Sequence, residues 1–197
     1  MVEVKLRTPV SEGEVRRLKV GDIVYLDGVV VTWRDRAYER AFELLERGES
    51  IPQVFMGAVH WHCGPIVKRV HGGWIVVSAG STTSSRFTFQ ESRAIREWGV
   101  RLVIGKGGMG GEAADAMREC GAAYLETVGG AASLYAKRVR GVESVYWLDL
   151  GVPEAVWVLR VEALGPLLVT MDSSGGNLRR DVMSAVEKNR LREHEIL

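Results

Sequence analysis

The first fifty residues alternate short β-type segments with one long amphipathic helix. Apolar and charged residues alternate over residues 2–6, which predicts a half-exposed strand. Two β-rich runs flank Asp27-Gly28, so residues 21–32 are predicted to form a hairpin that turns at this pair. Over residues 36–48 the apolar positions recur at helical spacing, and Gly48 supplies a typical helix end.

The middle of the chain repeats a strand, a polar loop and a helix three times. The predicted pairs of strand and helix are 74–77 with 89–99, 101–104 with 111–121, and 122–128 with 129–137. Such alternation is typical of parallel strands with helices packed over them.

The last third consists of strands joined by Gly and Pro turns, followed by a charged segment. Strands are predicted at 143–148, 155–161 and 167–172. From Asp181 onward charge dominates over a thin apolar stripe, which predicts a terminal helix or a frayed tail that could dock on a partner. Because the sequence shows no repeat, low-complexity tract or linker, we expect residues 1–197 to form one compact α/β domain with a mixed sheet and covering helices.

Composition and charge exclude several classes of function. Lys and Arg number 26 against 25 Asp and Glu, so no overall field attracts nucleic acid or an anionic membrane. The N-terminus has no signal-peptide layout and no apolar run reaches membrane-spanning length, which predicts a cytoplasmic protein. The two cysteines, Cys63 and Cys120, are too few for an iron–sulfur cluster, so both are predicted to be buried structural thiols.

Two of the predicted strands run directly into polar loops that each carry one cation. The first loop, residues 80–86, consists of Gly, Ser and Thr and ends at Arg86, and the second, residues 105–109, holds Lys106 among glycines. Small residues leave backbone N–H groups accessible, and the two cations add charge that an anion can bind. We therefore predict a small-anion site between Arg86 and Lys106. The alternative is two ordinary strand-to-helix turns with solvated cations.

Arg34 is a third candidate, because it lies between a predicted strand and the helix that begins near Asp35. It is either a binding group or a cation paired with Asp35, and the sequence favours neither. His60 and His62 would share one face of a strand and could share a metal ion. No third ligand stands at a convincing spacing, so surface histidines or hydrogen-bonded core histidines are the favoured interpretation.

The order of several motifs resembles the β subunit of class I, iron–sulfur-dependent fumarate hydratase and L(+)-tartrate dehydratase, which corresponds to the C-terminal domain of the single-chain enzymes. The resemblance covers nearly the whole chain. It rests on residues 33–37, 64–65, 80–86, 105–109, 129–132 and 147–151.

The resemblance implies a swivelling β/β/α domain that forms half of an enzyme. A partner α subunit is then expected to hold a [4Fe–4S] cluster, with an assembly of two αβ pairs as one option, while this chain binds no cofactor. By match to the family motifs, Arg34, Arg86 and Lys106 would bind the carboxylates of a small dicarboxylate substrate. Thr82, together with Lys106, would act in catalysis, with Thr82 at the proton-transfer position.

The sequence departs from the family pattern at Tyr38, Ser81 and Phe87, where the family usually has His, Pro and Met. These departures bear on the choice of substrate more than on the type of reaction. Reversible hydration of fumarate to (S)-malate is the main prediction. Dehydration of tartrate or another hydroxy-diacid, or a binding module without turnover, are the alternatives.

Overall fold

In the computed structural model, which describes residues 2–194 and the side-chain environments of residues 2–190, nine strands and six α-helices are present. The strands are β1 (Glu3–Arg7), β2 (Ile23–Thr32), β3 (His60–Trp61), β4 (Ile66–Val70), β5 (Gly73–Ser78), β6 (Leu102–Gly105), β7 (Ala123–Glu126), β8 (Val139–Tyr146) and β9 (Val156–Met171). The helices are α1 (Glu12–Val15), α2 (Asp35–Glu46), α3 (Thr88–Trp98), α4 (Gly111–Cys120), α5 (Ala132–Ala136) and α6 (Leu178–His194). Short 3₁₀ turns cover Gln53–Phe55, Ser84–Phe87 and Leu148–Leu150.

Seven strands form one mixed sheet in the order β1-β2-β3-β6-β7-β9-β8. The strands β1, β2, β3, β6 and β7 are parallel, whereas β9 runs antiparallel to β7, β8 and β2. Because β9 pairs with both β7 and β2, five strands close into a ring. The predicted mixed sheet with covering helices is therefore confirmed.

The predicted hairpin at Asp27-Gly28 is wrong, because β2 is one continuous strand. Gly28 does take a left-handed φ of 107°, but the chain does not reverse there. The side chain of Thr8 fills the space where a Cβ of residue 28 would lie, and its hydroxyl accepts a hydrogen bond from Val29 N. Glycine is needed at this position for a close approach of Thr8 and not for a turn.

The predicted separate strands 155–161 and 167–172 are likewise one strand, β9. Its pairing with β2 shifts register twice, and each shift places one extra residue on β9. The Gly165-Pro166 pair falls within the second of these β-bulges, where proline is tolerated because its position needs no ladder donor. At the first bulge Ala163 N donates to the Asp27 carboxylate at 2.7 Å, so the donor freed by the bulge is satisfied.

The sheet separates two apolar cores, which gives the β/β/α layering that the resemblance implied. The β4–β5 hairpin covers one face, where Trp61, Trp157 and the partly buried Trp74 pack. Helices α2, α3 and α4 cover the other face, whose core contains Trp33 and Trp98. Central strands such as β6 are buried on both faces, so they read as continuous apolar runs in the sequence.

The remaining sequence predictions differ from the structure mainly in their boundaries. Strand β8 begins at residue 139, and Trp147 leaves it with a left-handed φ of 57° to enter a 3₁₀ turn. The predicted terminal helix is present as α6 and begins three residues earlier, at Leu178, while residues 195–197 lie outside the described part of the chain. No helix among residues 2–194 combines the length and the apolar character needed to cross a membrane.

Candidate functional site

The candidate site lies at the edge of the sheet where the parallel strands end. Arg34 follows β2 and Lys106 directly follows β6, so the parallel order of β2, β3 and β6 brings both cations to one edge. Beyond their last paired residues β3 and β6 diverge, and residues 80–87 enter the space between them.

Backbone hydrogen bonds hold this inserted segment on both sides. Thr82 N donates to His62 O at 2.7 Å on the side of β3, and Ser84 N donates to Lys106 O at 2.9 Å on the side of β6. Isolated β-bridges support the same arrangement. Thr82 and Lys106 therefore lie on neighbouring segments of one continuous ladder.

Arg86 is oriented by three neighbours within the site. Its Nη2 donates to Asp35 Oδ2 at 3.2 Å and to Thr82 Oγ1 at 3.3 Å, and its guanidinium carbon lies 5.1 Å from the centre of the Phe87 ring. The side chain is still 47% exposed. One edge of the guanidinium is fixed by the protein, and the rest is open to a ligand.

Arg34 is more enclosed and lies beside two carboxylates. Its Nη2 is 4.0 Å from Asp35 Oδ2, and its Nε is 3.2 Å from Glu154 Oε1, although that N–H makes no well-directed hydrogen bond. A Cβ on Gly64 would lie 2.8 Å from Arg34 Nη1 and 2.7 Å from Pro153 O. The Gly64-Pro65 motif therefore leaves room for the guanidinium, and the pairing of Arg34 with Asp35 that the sequence left open is present as a long contact.

Lys106 begins a tight glycine loop. Gly107 and Gly108 take left-handed φ values of 82° and 71°, and Gly107 N donates to Glu126 Oε1 at 3.0 Å. Glu126 is paired in turn with Arg179 at the start of α6. Within the described side chains Lys106 makes no ion pair, so its ammonium is available to an external anion.

The structure thus brings together all four residues that the sequence singled out, namely Arg34, Thr82, Arg86 and Lys106. The guanidinium groups of Arg34 and Arg86 lie near two carboxylates, Asp35 and Glu154, and Lys106, on the segment bridged to Thr83, adds one further positive charge. Such a site suits an anion. The individual roles of the four residues in binding and proton transfer stay predictions.

Sequence reasoning missed a buried polar network directly beneath this site. The Glu91 carboxylate, fully buried in the first turn of α3, accepts hydrogen bonds from the Tyr38 hydroxyl, from His60 Nδ1 at 3.2 Å and from His62 Nε2 at 2.9 Å. His62 Nδ1 lies 2.8 Å from Ser84 Oγ. The alternation of His60 and His62 was the available signal, but nothing in the sequence marks Glu91 as buried.

The network sets the ionisation of its members. Burial raises the pKa of Glu91, but the two histidines outweigh this effect and hold its pKa well below the usual range. Burial lowers the pKa of His62 despite the attraction of Glu91. Burial and the Glu91 charge both raise the pKa of Tyr38. At neutral pH the centre of the network is an ionised carboxylate with a neutral His62 and a neutral Tyr38.

The idea of a metal ion on His60 and His62 gains no support from the structure. Among the described residues no group of three or more His, Cys, Asp or Glu side chains is arranged to hold a metal ion. Cys63 is buried, as predicted, and burial raises its pKa to about 12. Cys120, at the end of α4, packs against the helix-side core but is only half-buried, so the predicted buried thiol is found there only in part.

The three departures from the family pattern point into the protein. Ser81 Oγ accepts a hydrogen bond from Trp61 Nε1 at 2.8 Å. Phe87 is buried with its ring centre 4.7 Å from that of His62 and 5.7 Å from that of Tyr38. Ser81 and Phe87 thus anchor the inserted segment to the residues beneath it, and Tyr38 and Phe87 line the buried network.

Comparison with known proteins shows similarity over almost the whole chain. The family model described as Fumarase C-terminus matches residues 1–182. A protein of Methanocaldococcus jannaschii, provisionally named L(+)-tartrate dehydratase subunit beta, is 42% identical over 177 residues, which are 89% of this chain and 91% of that protein.

Two further relatives differ in how they are built. The L(+)-tartrate dehydratase subunit beta of Escherichia coli K12 is 40% identical over 173 residues, covering 88% of this chain and 85% of that protein. A protein of Geobacillus stearothermophilus, provisionally named fumarate hydratase class I, is 39% identical over 187 residues. These residues are 94% of this chain but only 35% of that longer protein.

Proposed function

The chain belongs to the Fumarase C-terminus family, and from this membership we propose that it is the β subunit of a class I hydro-lyase that reversibly hydrates fumarate to (S)-malate. The observation that carries the proposal is the grouping of Arg34, Arg86 and Lys106 around Thr82 at the end of the parallel strands.

The proposal includes a partner α subunit that carries a [4Fe–4S] cluster, which would polarise the hydroxyl of the substrate. The relatives of similar length are named as subunits, and the longer relative contains a comparable segment within one chain. The residues of this chain do not fit the cluster, because it has two cysteines and a cluster needs three or four thiolates. An assembly of two αβ pairs and a cytoplasmic location stay predictions.

In this proposal the three cations clamp a dicarboxylate. Arg86 and Arg34 present guanidinium groups that suit a bidentate carboxylate, and the Lys106 ammonium provides a point contact. Because Asp35 accepts a hydrogen bond from Arg86 and Glu154 lies beside Arg34, the two guanidinium groups are oriented before the substrate arrives. This preorganisation is what a site for a small dianion requires.

Thr82 is proposed to transfer the proton at the carbon next to the hydroxyl-bearing carbon. Dehydration removes that proton from one carbon and hydroxide from its neighbour, which gives the alkene and water. A threonine hydroxyl is a weak base, so its ionised form needs a nearby positive charge. Arg86 Nη2, 3.3 Å from Thr82 Oγ1, supplies that charge, and an acid of the α subunit would complete the proton transfer.

Tartrate dehydration is a second candidate, favoured by the names of the relatives whose length is similar to that of this chain. Tartrate carries one hydroxyl more than malate and the same two carboxylates, so the same clamp would hold it. Comparison of fumarate, (S)-malate and L(+)-tartrate as substrates of the reconstituted enzyme decides between the two.

The proposed roles are tested by substitution in the enzyme reconstituted with the α subunit. Arg86→Ala and Lys106→Ala are each expected to cost about 2–4 kcal/mol, or roughly a 30- to 1,000-fold loss in kcat/KM. Arg86→Lys should lose nearly as much kcat/KM, since an ammonium cannot reproduce the paired N–H donors of a guanidinium. Thr82→Ala should lower kcat and leave KM almost unchanged.

Arg118→Ala serves as the control, because Arg118 is exposed on α4 and, among the described side chains, pairs only with Asp115. It should keep normal kcat/KM at equal cluster occupancy. Near-normal kcat/KM in both Arg86→Ala and Lys106→Ala would show that the two-loop anion site is wrong.

A further inference from the structure

We propose that His62 is a positioning residue that holds Thr82 and Ser84 in place from beneath the site, an inference that rests on the proposed function. One residue makes both contacts. Its main-chain oxygen accepts the Thr82 N–H at 2.7 Å, and its ring nitrogen Nδ1 lies 2.8 Å from Ser84 Oγ. Thr82 and the start of the 3₁₀ turn that carries Arg86 are thereby fixed to one point on the sheet.

The direction of the hydrogen bonds defines the tautomer of the His62 ring. The Tyr124 hydroxyl donates to Ser84 Oγ at 2.9 Å, so Ser84 directs its own proton to His62 Nδ1. Nδ1 is then an acceptor, and Nε2–H donates to the Glu91 carboxylate at 2.9 Å. The chain of bonds runs from Tyr124 through Ser84 and His62 to Glu91 Oε2.

Glu91 anchors this chain to the helix that follows Arg86. It lies in the first turn of α3, which continues directly from the 3₁₀ turn Ser84–Phe87. His62 therefore contacts Ser84 at the beginning of the 3₁₀ turn and Glu91 just beyond its end. The position of Arg86 between them is constrained from both sides.

The packing leaves little room for any other arrangement. A Cβ on Gly105 would lie 1.8 Å from Ser84 Oγ and 2.8 Å from Tyr124 OH, so the glycine before Lys106 allows Ser84 to reach His62. The Phe87 ring packs against the His62 ring, with their centres 4.7 Å apart. His62, Ser84 and Gly105 form one closely packed unit beneath Thr82 and Lys106.

Two substitutions of His62 separate its contacts. An asparagine amide reaches the position of Nδ1 and can accept from Ser84, whereas a glutamine amide reaches the position of Nε2 and can donate to Glu91. In the enzyme reconstituted with the α subunit, His62→Gln is expected to lower kcat roughly 10- to 100-fold with a smaller change in KM, because the proton-transfer residue is displaced. His62→Asn is expected to recover most of that kcat while its midpoint of urea unfolding falls below that of His62→Gln.

Ser84→Ala should reproduce the kcat loss of His62→Gln, because it removes the same hydrogen bond from the other side. Ser92→Ala is the matched control and should keep normal kcat, since in the described part of the chain the Ser92 hydroxyl donates only to Phe89 O within α3. Long-range ¹⁵N–¹H NMR of the histidines should show His62 as the neutral tautomer with its proton on Nε2.

The outcomes separate this proposal from the proposed function. Normal kcat in both His62→Gln and Ser84→Ala, with the expected loss in Arg86→Ala, overturns the role of His62 and leaves the proposed function intact. A kcat that simply follows the unfolding midpoints across the His62 variants also overturns it, as does an Nδ1–H tautomer. Normal kcat/KM in Arg86→Ala and Lys106→Ala instead removes the proposed function.

Discussion

At the scale of single residues, the site is organised around Asp35. This carboxylate lies 3.2 Å from Arg86 and 4.0 Å from Arg34, so it keeps two guanidinium groups near each other without a bound anion. Lys106 lies across the inserted segment without a carboxylate partner in the described side chains. A dianion that enters this site would therefore meet one uncompensated ammonium and two partly compensated guanidinium groups. This arrangement favours two carboxylates over one.

The buried carboxylate beneath the site makes folding stability depend on pH. Because the pKa of Glu91 is lower in the folded protein than its ordinary value of about 4.3, its contribution to the unfolding free energy is complete above that value. The contribution is lost as the pH falls through the folded pKa. His62, whose pKa is also lowered, begins to reduce stability below about pH 6.5.

We expect Glu91→Gln to weaken this dependence on pH. Its unfolding free energy at pH 7, measured with urea, should fall by about 1–3 kcal/mol because buried donors lose their charged acceptor. Between pH 5 and pH 3 its unfolding free energy should change less steeply than that of the wild type. Glu39→Gln, at an exposed position of α2, should leave the slope unchanged. If the unfolding free energy changes equally steeply with pH in Glu91→Gln and the wild type, Glu91 is not the ionised carboxylate that causes the dependence.

The sequence identified the cations of the site but not the groups that orient them. Arg86 and Lys106 stand out because glycine and serine loops follow strands, which is a local signal. Glu91 lies among polar residues at the start of a helix, a pattern equally typical of a solvated surface. Its burial arises only when α3 packs against β3 and α2, so it depends on contacts distant in sequence. The interpretation of His60 and His62 as hydrogen-bonded core histidines is confirmed, but the sequence did not identify Glu91 as their hydrogen-bond partner.

At the scale of elements, dipeptides typical of turns led to wrong predictions where a partner strand stabilises an irregular strand. Asp27-Gly28 and Gly165-Pro166 are strong turn dipeptides, yet both lie within long strands. The bulges of β9 lie opposite the middle of β2, and the Asp27 carboxylate satisfies the N–H of Ala163. The left-handed Gly28 and the bulges of β9 are tolerated because neighbouring segments fill the space and bind the free N–H groups. Most strands and helices of the α/β middle were predicted well, since their periodicity is set by local burial. The expectation of parallel strands is wrong for the strand at residues 74–77, because β5 pairs antiparallel with β4 in a separate two-stranded sheet.

The terminal helix α6 is predicted to support the Lys106 loop. Arg179 pairs with Glu126, whose carboxylate accepts the Gly107 N–H, and the Arg179 stem lies against Gly108. Arg179→Ala should therefore loosen the loop. Because Arg179 is about half exposed, the cost should be at most about 1 kcal/mol, or roughly a 2- to 5-fold rise in KM of the reconstituted enzyme.

Arg190→Ala provides the comparison on the same helix. Arg190 pairs with Glu187 within α6, and both side chains are exposed, so this change should leave KM as it is. Equal KM values for Arg179→Ala and Arg190→Ala would mean that α6 has no influence on the Lys106 loop.

At the scale of the whole molecule, the two faces of the sheet differ in what they support. The face covered by the β4–β5 hairpin carries an apolar core, whereas the face covered by α2, α3 and α4 also contains the Glu91 network. The site lies at the end of the sheet above that network. Beyond the site, large apolar side chains such as Phe89, Val128 and Ile75 are exposed.

The isolated chain is expected to bind no iron–sulfur cluster and to turn over no fumarate. Cys63 is buried and, with a pKa of about 12, stays protonated at neutral pH, while Cys120 lies at the end of α4. The two thiols cannot supply the ligands of a cluster. Iron, acid-labile sulfide and fumarate consumption are to be measured anaerobically on the purified chain, alone and with the α subunit. Cys120→Ser should leave the activity of the reconstituted enzyme unchanged. A stoichiometric cluster with turnover in the isolated chain would show that it is a complete enzyme, so that neither the cluster nor the acid that assists Thr82 need come from a partner.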